Sequence, residues 1–218
     1  DLAGRVVSRG TSFRWGTGWL SLIGIPATVR PGVYELRLPL IGVPFRVTAR
    51  VLASETNPLT KTLTALRAQP DPRKTAEAVE LAALLAGSNP AAMHETGAFL
   101  LPLEKIRRTA GYGDRRVYRY DDGSTATSVH AGVDLAMPEG TQVASCGAGR
   151  VVMAKERVIT GGTVVVEHLP GLFSFYCHLS AMSVREGDLL AKGQVLGLVG
   201  KTGLATGAHL HWEVVAGG

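Results

Sequence analysis

Apolar and polar positions alternate at both ends of this chain, and a block of helical texture separates the two. Val33-Tyr34-Glu35-Leu36-Arg37-Leu38-Pro39-Leu40 and Pro44-Phe45-Arg46-Val47-Thr48-Ala49-Arg50-Val51-Leu52 alternate at period 2 beside Pro31-Gly32 and Gly42. That is the pattern of antiparallel strands with one buried face. Residues 1–53 are therefore expected to form a small β-rich, sandwich-like module. Leu59 to Gln69 and Lys74 to Ala86 read as helices, with Asp71-Pro72 as a start signal for the second and Gly87-Ser88-Asn89-Pro90 as its end. Residues 54–98 are expected to be a helical connector packed on one or both neighbours. From Phe99 onward glycine turns divide short strand candidates: Val143 to Ala154, Gly162 to His168, Leu172 to Leu179, Val195 to Gly200, and a last strand beginning at His209. The fold class expected is mainly β, with a C-terminal β-sandwich or barrel-like domain over residues 99–218.

Composition narrows the class. The 218 residues are 45% hydrophobic and 19% charged, with 27 glycines and 11 prolines, which fits a turn-rich globular protein. No apolar run approaches the roughly 20 residues of a membrane span. The net charge of +5 could favour an anionic partner such as a wall polymer. The basic residues are scattered, however, and no aromatic-basic stripe suggests base stacking, so no nucleic-acid partner is expected. Asp1 is not a natural start, so a signal or anchor is expected to have preceded it. Cys146 and Cys177 form no C-x-x-C pair, which excludes a structural zinc knuckle; the sequence allows either one disulfide or two buried thiols, and free thiols are the preferred reading.

Candidate chemistry lies in the histidines. On a strand, His209 and His211 of His209-Leu210-His211 project from one face. Two adjacent imidazoles can both bind a metal, or one can bind it while the other moves protons. Partners stand in Ser128-Val129-His130-Ala131-Gly132-Val133-Asp134. Extended, His130 and Asp134 would lie roughly 13 Å apart, so the chain must bend between them, and Gly132 allows it. His130, Asp134 and one histidine of the pair make three ligands with an open fourth position, the pattern of a catalytic zinc. His178, in Tyr176-Cys177-His178-Leu179, sits on a strand that should reach the same site. His94 is expected on the connector surface and His168 as a hydrogen-bonded structural histidine. An H-E-x-x-H site is absent because residue 98 is Ala98. A phosphate-binding loop at Gly200-Lys201-Thr202 fails because Val195 stands where its first glycine is required. A Cys177-His178 thiol pair is set aside because neighbours on a strand face opposite sides.

His130-x-x-x-Asp134, Tyr176-x-His178-Leu179 and His209-x-His211, in this order, resemble the signature of the LytM/lysostaphin-type zinc metallopeptidases. The resemblance runs from about Phe99 to Val215 and includes Val184-Arg185-Glu186-Gly187-Asp188 and Gly200-Lys201-Thr202-Gly203. Ala208 and Gln142 stand where the family commonly has proline. Residues 1–98 carry only a looser likeness, to N-terminal modules of envelope members. The resemblance implies one Zn²⁺ ion bound by His130, Asp134 and His211. It implies His178 and His209 as catalytic histidines assisting a metal-activated water. It further implies endopeptidase action on peptidoglycan stem peptides or cross-bridges, in the cell envelope, either periplasmic or secreted. Stem-peptide substrates are expected, since no SH3-like segment of the kind that binds glycine bridges is visible. Family members often carry N-terminal segments over the zinc cleft, so residues 1–98 are expected to restrict access or to dock the enzyme.

Two other classes compete. A non-enzymatic envelope module would bind peptidoglycan or activate another hydrolase, but such members have lost ligands and this chain keeps all five polar residues. A lipoyl- or biotin-type carrier is suggested by the turns of Val184 to Gly197, but Lys155 is a poor modifiable lysine and the histidine motifs would go unexplained.

Overall fold

A computed structural model of the protein describes residues 5–38, 41–87 and 89–217. Pro39, Leu40 and Ser88, expected in a strand and at a helix end, lie outside the described residues. The alternating N-terminal segments fold as two antiparallel hairpins. β1 (Gly10–Trp15) pairs with β2 (Gly18–Ile23), and β3 (Gly32–Leu38) pairs with β4 (Ile41–Val47). The hairpins remain separate two-stranded sheets, and of their described side chains only Phe13 and Tyr34 are buried. They flank a groove of about 450 Å³ lined by residues such as Ile23, Tyr34 and Phe45. A packed sandwich does not form here, because two short hairpins supply too little apolar surface to exclude water between them.

Residues 54–58, expected within a helical connector, form instead the strand β5 (Ser54–Pro58). The expected helices follow as α1 (Lys61–Ala68) and α2 (Pro72–Ala86). Thr60 caps α1 by accepting the Leu63 N–H. Asp71 caps α2 by accepting the Arg73 N–H, and Pro72 opens the helix, where its missing N–H costs nothing.

Nine of the eleven remaining strands form one sheet. In chain order they are β6 (Arg108–Ala110), β7 (Arg115–Arg119), β8 (Thr125–Val129), β9 (Val133–Ala136), β10 (Gln142–Ala144), β11 (Gly149–Arg157), β12 (Gly161–Leu169), β13 (Leu172–Met182), β14 (Leu189–Leu190), β15 (Val195–Val199) and β16 (His209–Ala216). The strand expected from Val143 to Ala154 is thus split into β10 and β11. The large sheet runs β14-β11-β12-β13-β16-β9-β6, with β15 joined to β13 and β10 to β15; the other two strands, β7 and β8, build a three-stranded sheet with β5. The large sheet is open at β14 and β6, so among the described residues no closed barrel forms.

The large sheet buries both faces. On one, Leu135, Val164, Tyr176, Leu179, Leu196 and Leu210 make the main core. On the other, Met153, Val165, Phe173, Phe175 and Cys177 are covered by Leu81, Leu84 and Leu85 of α2. Polar ties fix that helix in place. The Val158 N–H donates to both Glu77 carboxylate oxygens at 3.1 Å, Arg157 donates to the Glu77 carbonyl at 2.9 Å, and Lys155 pairs with Glu80.

One polar chain crosses the main core. His168 bonds to the Ala148 carbonyl through Nδ1 (2.7 Å) and to Ser174 Oγ through Nε2 (2.7 Å). Ser174 Oγ lies 3.0 Å from Tyr176 Oη, which accepts the Cys146 N–H at 2.8 Å. His168 is therefore the hydrogen-bonded structural histidine expected. His94, expected at the surface, is half-buried instead, its N–H donating to the His168 carbonyl at 3.0 Å. The segment after α2 lies against the sheet rather than in solvent.

Two outcomes follow from this packing. Tyr176→Phe leaves the buried Cys146 N–H unpaired and should cost about 1–3 kcal/mol, read as a lower urea midpoint with unchanged slope; a shift under a few tenths would mean the network is not stabilising. Removing residues 1–98 uncovers Phe173 and Phe175 and strips β7 of a partner, so that fragment should aggregate or melt far below the full chain in a circular-dichroism scan. Equal melting would show that α2 and β5 are dispensable to the sheet.

Candidate metal centre

Strand register sets the first half of the site. β16 and β9 are antiparallel, with His211 opposite Asp134 and His209 opposite Ala136. Directly opposed residues share a sheet face, so Asp134, His211 and, by period 2, His209 stand together. His130 reaches them through a bend at Gly132. A Cβ on Gly132 would lie 2.4 Å from the Trp212 carbonyl oxygen and 3.0 Å from the His211 ring. The glycine is required for clearance rather than for a left-handed backbone.

Three donor atoms converge. His130 Nε2, Asp134 Oδ1 and His211 Nδ1 are separated by 3.0, 2.9 and 3.0 Å, and together they form a group able to hold one metal ion. Tetrahedral zinc with bonds of about 2.0–2.1 Å needs neighbouring donors about 3.3 Å apart, so the set fits after moving by a few tenths of an ångström. The outer nitrogens agree with this. His130 Nδ1 donates to the Gly111 carbonyl at 2.8 Å, and His211 Nε2 faces Glu213 Oε2 at 3.4 Å. Each contact holds the proton on the outer nitrogen and turns the inner lone pair to the shared centre, the support that metal-binding histidines characteristically have. Three such atoms packed this closely repel one another unless protons or a metal cation lie among them.

His178 arrives by a different route. Cys177 is opposite His211 in the β13–β16 register, so regular alternation would send His178 to the other face. β13 carries a bulge here, two residues opposing one of β12 between the pairs Tyr176–Val164 and Leu179–Gly162. His178 takes φ +62°, the only left-handed non-glycine among the described residues. The bulge re-aims its side chain, and its ring stands 4.7 Å from that of His209 and 6.3 Å from that of His211. The premise that Cys177 and His178 face opposite sides is thereby corrected. Cys177 is still no nucleophile: it is buried in the α2-covered core, and burial pushes its thiol up to about 12. Both cysteines are free.

His178 and His209 share one bonding scheme. Nδ1 of each donates to a backbone carbonyl at 2.8 Å, Thr202 for His178 and Gly207 for His209. Their Nε2 atoms are left for other work, and that of His209 is buried without a partner, 3.7 Å from Asp134 Oδ2. Burial and the neighbouring His209 pull the His178 pKa down to about 3. For His211, burial works against protonation but the Asp134 and Glu213 carboxylates outweigh it and raise the pKa to about 9. Burial likewise opposes ionisation of Asp134, yet bonds to His130 and His211 and the charges of His209 and Arg116 hold it well below the usual carboxylate range.

The five residues expected at the site are thus all brought together. Sequence reasoning missed two others. Glu213 continues the alternation of His209 and His211 on β16, so H-x-H-x-E could have revealed it. Arg116 on β7, whose Nη2 donates to Asp134 Oδ2, had no such signal within Arg115-Arg116-Val117-Tyr118-Arg119. The cleft beside the triad, about 230 Å³, is lined by Asp134, His209 and Arg116 and also by Glu55 and Asn57 of β5.

Comparison with known proteins agrees with this geometry. Residues 128–218 match the model of Peptidase family M23. The chain is 37% identical over 114 residues to peptidoglycan DD-endopeptidase ShyA of Vibrio cholerae, an overlap of 52% of this chain and 26% of that protein. It is 34% identical over 125 residues to lysostaphin of Staphylococcus staphylolyticus, 56% of this chain and 24% of that protein. These matches span about a quarter of each relative's length. A crystal structure assigned to peptidase M23 from Pseudomonas aeruginosa superposes with a TM-score of 0.69 at 26% identity, covering 95% of this chain and 78% of that one. Residues 128–218 thus match a Peptidase family M23 domain, and the chain is similar there to proteins of the LytM/lysostaphin type.

Proposed function

We propose that the chain is a zinc-dependent endopeptidase that hydrolyses peptide bonds of bacterial cell-wall peptidoglycan, acting in the cell envelope. The observation that carries this reading is the triad of inner donor atoms 2.9–3.0 Å apart, each histidine held from behind by an oxygen acceptor. His130, Asp134 and His211 are the ligands in this reading. Zinc supplies a Lewis acid that lowers the pKa of water to near 7 and polarises a peptide carbonyl.

The remaining steps belong to the chain's own groups. His178 and His209 keep Nε2 free for proton transfer, because their Nδ1 protons are committed to the Thr202 and Gly207 carbonyls, and His209 lines the cleft. In that tautomer each Nε2 can take a proton and later return it to a leaving amine. The low pKa of His178 keeps it neutral, so its Nε2 offers a lone pair as a hydrogen-bond acceptor. Glu213 holds His211 in register, and Arg116 neutralises the outer oxygen of Asp134. The names of the relatives, a peptidoglycan DD-endopeptidase among them, support a wall-peptide substrate. The expected division into residues 1–53, 54–98 and 99–218 is modified in this proposal: β5 and α2 belong with the catalytic part, because one lines the cleft and the other covers the sheet.

His211→Ala should lose zinc, from one ion per chain to near none by atomic absorption. His209→Ala should keep zinc while cleavage of purified sacculi drops by about 10²–10⁴-fold. If both variants hold metal equally, the division of roles between ligand and proton carrier is wrong. Chelation should abolish fragment release and added Zn²⁺ restore it; release that survives chelation would sink the metal-dependent reading.

A further inference from the structure

The parallel pairing of β5 with β7 sets Glu55 opposite Arg116 and Asn57 opposite Tyr118. Period 2 sends all four to one face, where they wall the cleft beside Asp134 and His209. Two donors on this wall have no partner. Asn57 Nδ2 and Arg116 Nε are both buried from solvent and unbonded. Buried donors are nearly always satisfied in a native protein, and an exception calls for a reason. Arg116 shows a division of labour: Nη2 is committed to Asp134 Oδ2, while Nε is not.

We propose that Asn57 and Arg116 form a subsite for a carboxylate of the peptide substrate. The proposal rests on the peptidase reading of the adjoining triad and goes beyond it, to what the cleft selects. An amide N–H and a guanidinium N–H on one cleft wall call for an oxygen acceptor, and the guanidinium favours one that is charged. A singly charged carboxylate suits two donors. A phosphate would bring a second charge and a third oxygen toward the Glu55 and Asp134 carboxylates, and a neutral sugar hydroxyl is a weaker acceptor for a guanidinium than a charged oxygen. Arg116 would then serve both groups, holding Asp134 through Nη2 and the substrate through Nε. This sets the distance between the bound carboxylate and the triad. Asn57 and Arg116 act here as specificity-determining residues.

The test compares a wall stem tetrapeptide carrying free carboxylates with the same peptide fully amidated, titrated calorimetrically into the zinc-loaded full chain. The free-carboxylate peptide should bind roughly tenfold or more tightly, the size of one charge-assisted bond. Asn57→Asp, which does not touch the triad, should erase or reverse that preference while zinc content stays at one per chain. Arg116→Gln, compared at matched zinc content, should weaken the free-carboxylate peptide more than the amidated one. Equal binding of the two peptides by the unaltered chain, or a preference untouched by Asn57→Asp, would overturn the proposal. Cleavage is scored separately on sacculi. A preference without cleavage upholds the subsite and counts against the peptidase reading, whereas cleavage without a preference overturns the subsite alone.

Discussion

One buried carboxylate organises this molecule. Asp134 is 5% exposed, yet its two oxygens meet His130, His211, Arg116 and, at 3.7 Å, His209. A carboxylate in such a place is stable only if it is surrounded by donors or cations. The groups that surround it come from three segments outside β9: the loop before it, the strand β16 and the strand β7. Closing that shell joins the large sheet to the three-stranded sheet that carries Arg116. The same oxygen shared by the two histidines gives the site its capacity for a metal ion, so structural and chemical demands meet in one side chain.

The sheet accommodates this centre by breaking its own regularity once. A strict strand at Cys177-His178 would aim His178 into the main core, where Tyr176 and Leu179 already pack. The bulge and the left-handed backbone at His178 place an imidazole beside His209 and keep Leu179 in the core. A left-handed histidine is costly, and such strain persists only where the surroundings over-determine it. Here the Thr202 carbonyl binds its Nδ1 and the Thr160 carbonyl accepts its N–H at 2.7 Å. Strain at this one residue coincides with the position expected to carry chemistry.

The segment between the hairpins and the sheet is more than a tether. β5 supplies a wall of the cleft, and α2 covers the apolar patch around Phe175 that would otherwise face water. The 26% identical Pseudomonas aeruginosa structure extends over 95% of this chain, so the likeness takes in this segment as well as the matched residues 128–218.

Much of the site was legible from residue order, because its parts are short-range patterns. His209-x-His211 and His130-x-x-x-Asp134 owe their geometry to strand alternation and a local glycine bend, and the caps at Thr60 and Asp71 are equally local. Read together with Tyr176-x-His178, they point to the family and its metal before any coordinate is known. The misses share a different cause. That residues 54–58 form a strand depends on a parallel partner some 60 residues away, and nothing in Ser54-Glu55-Thr56-Asn57-Pro58 encodes that partner. Arg116 became part of the site only when that sheet docked against Asp134. The face chosen by His178 depends on one extra residue in β13 relative to β12, a count that appears only once the strands are paired. Residue types and their spacing determined which groups could do chemistry. Tertiary pairing alone decided which of them share a face, because a single shift in register moves a side chain through the sheet.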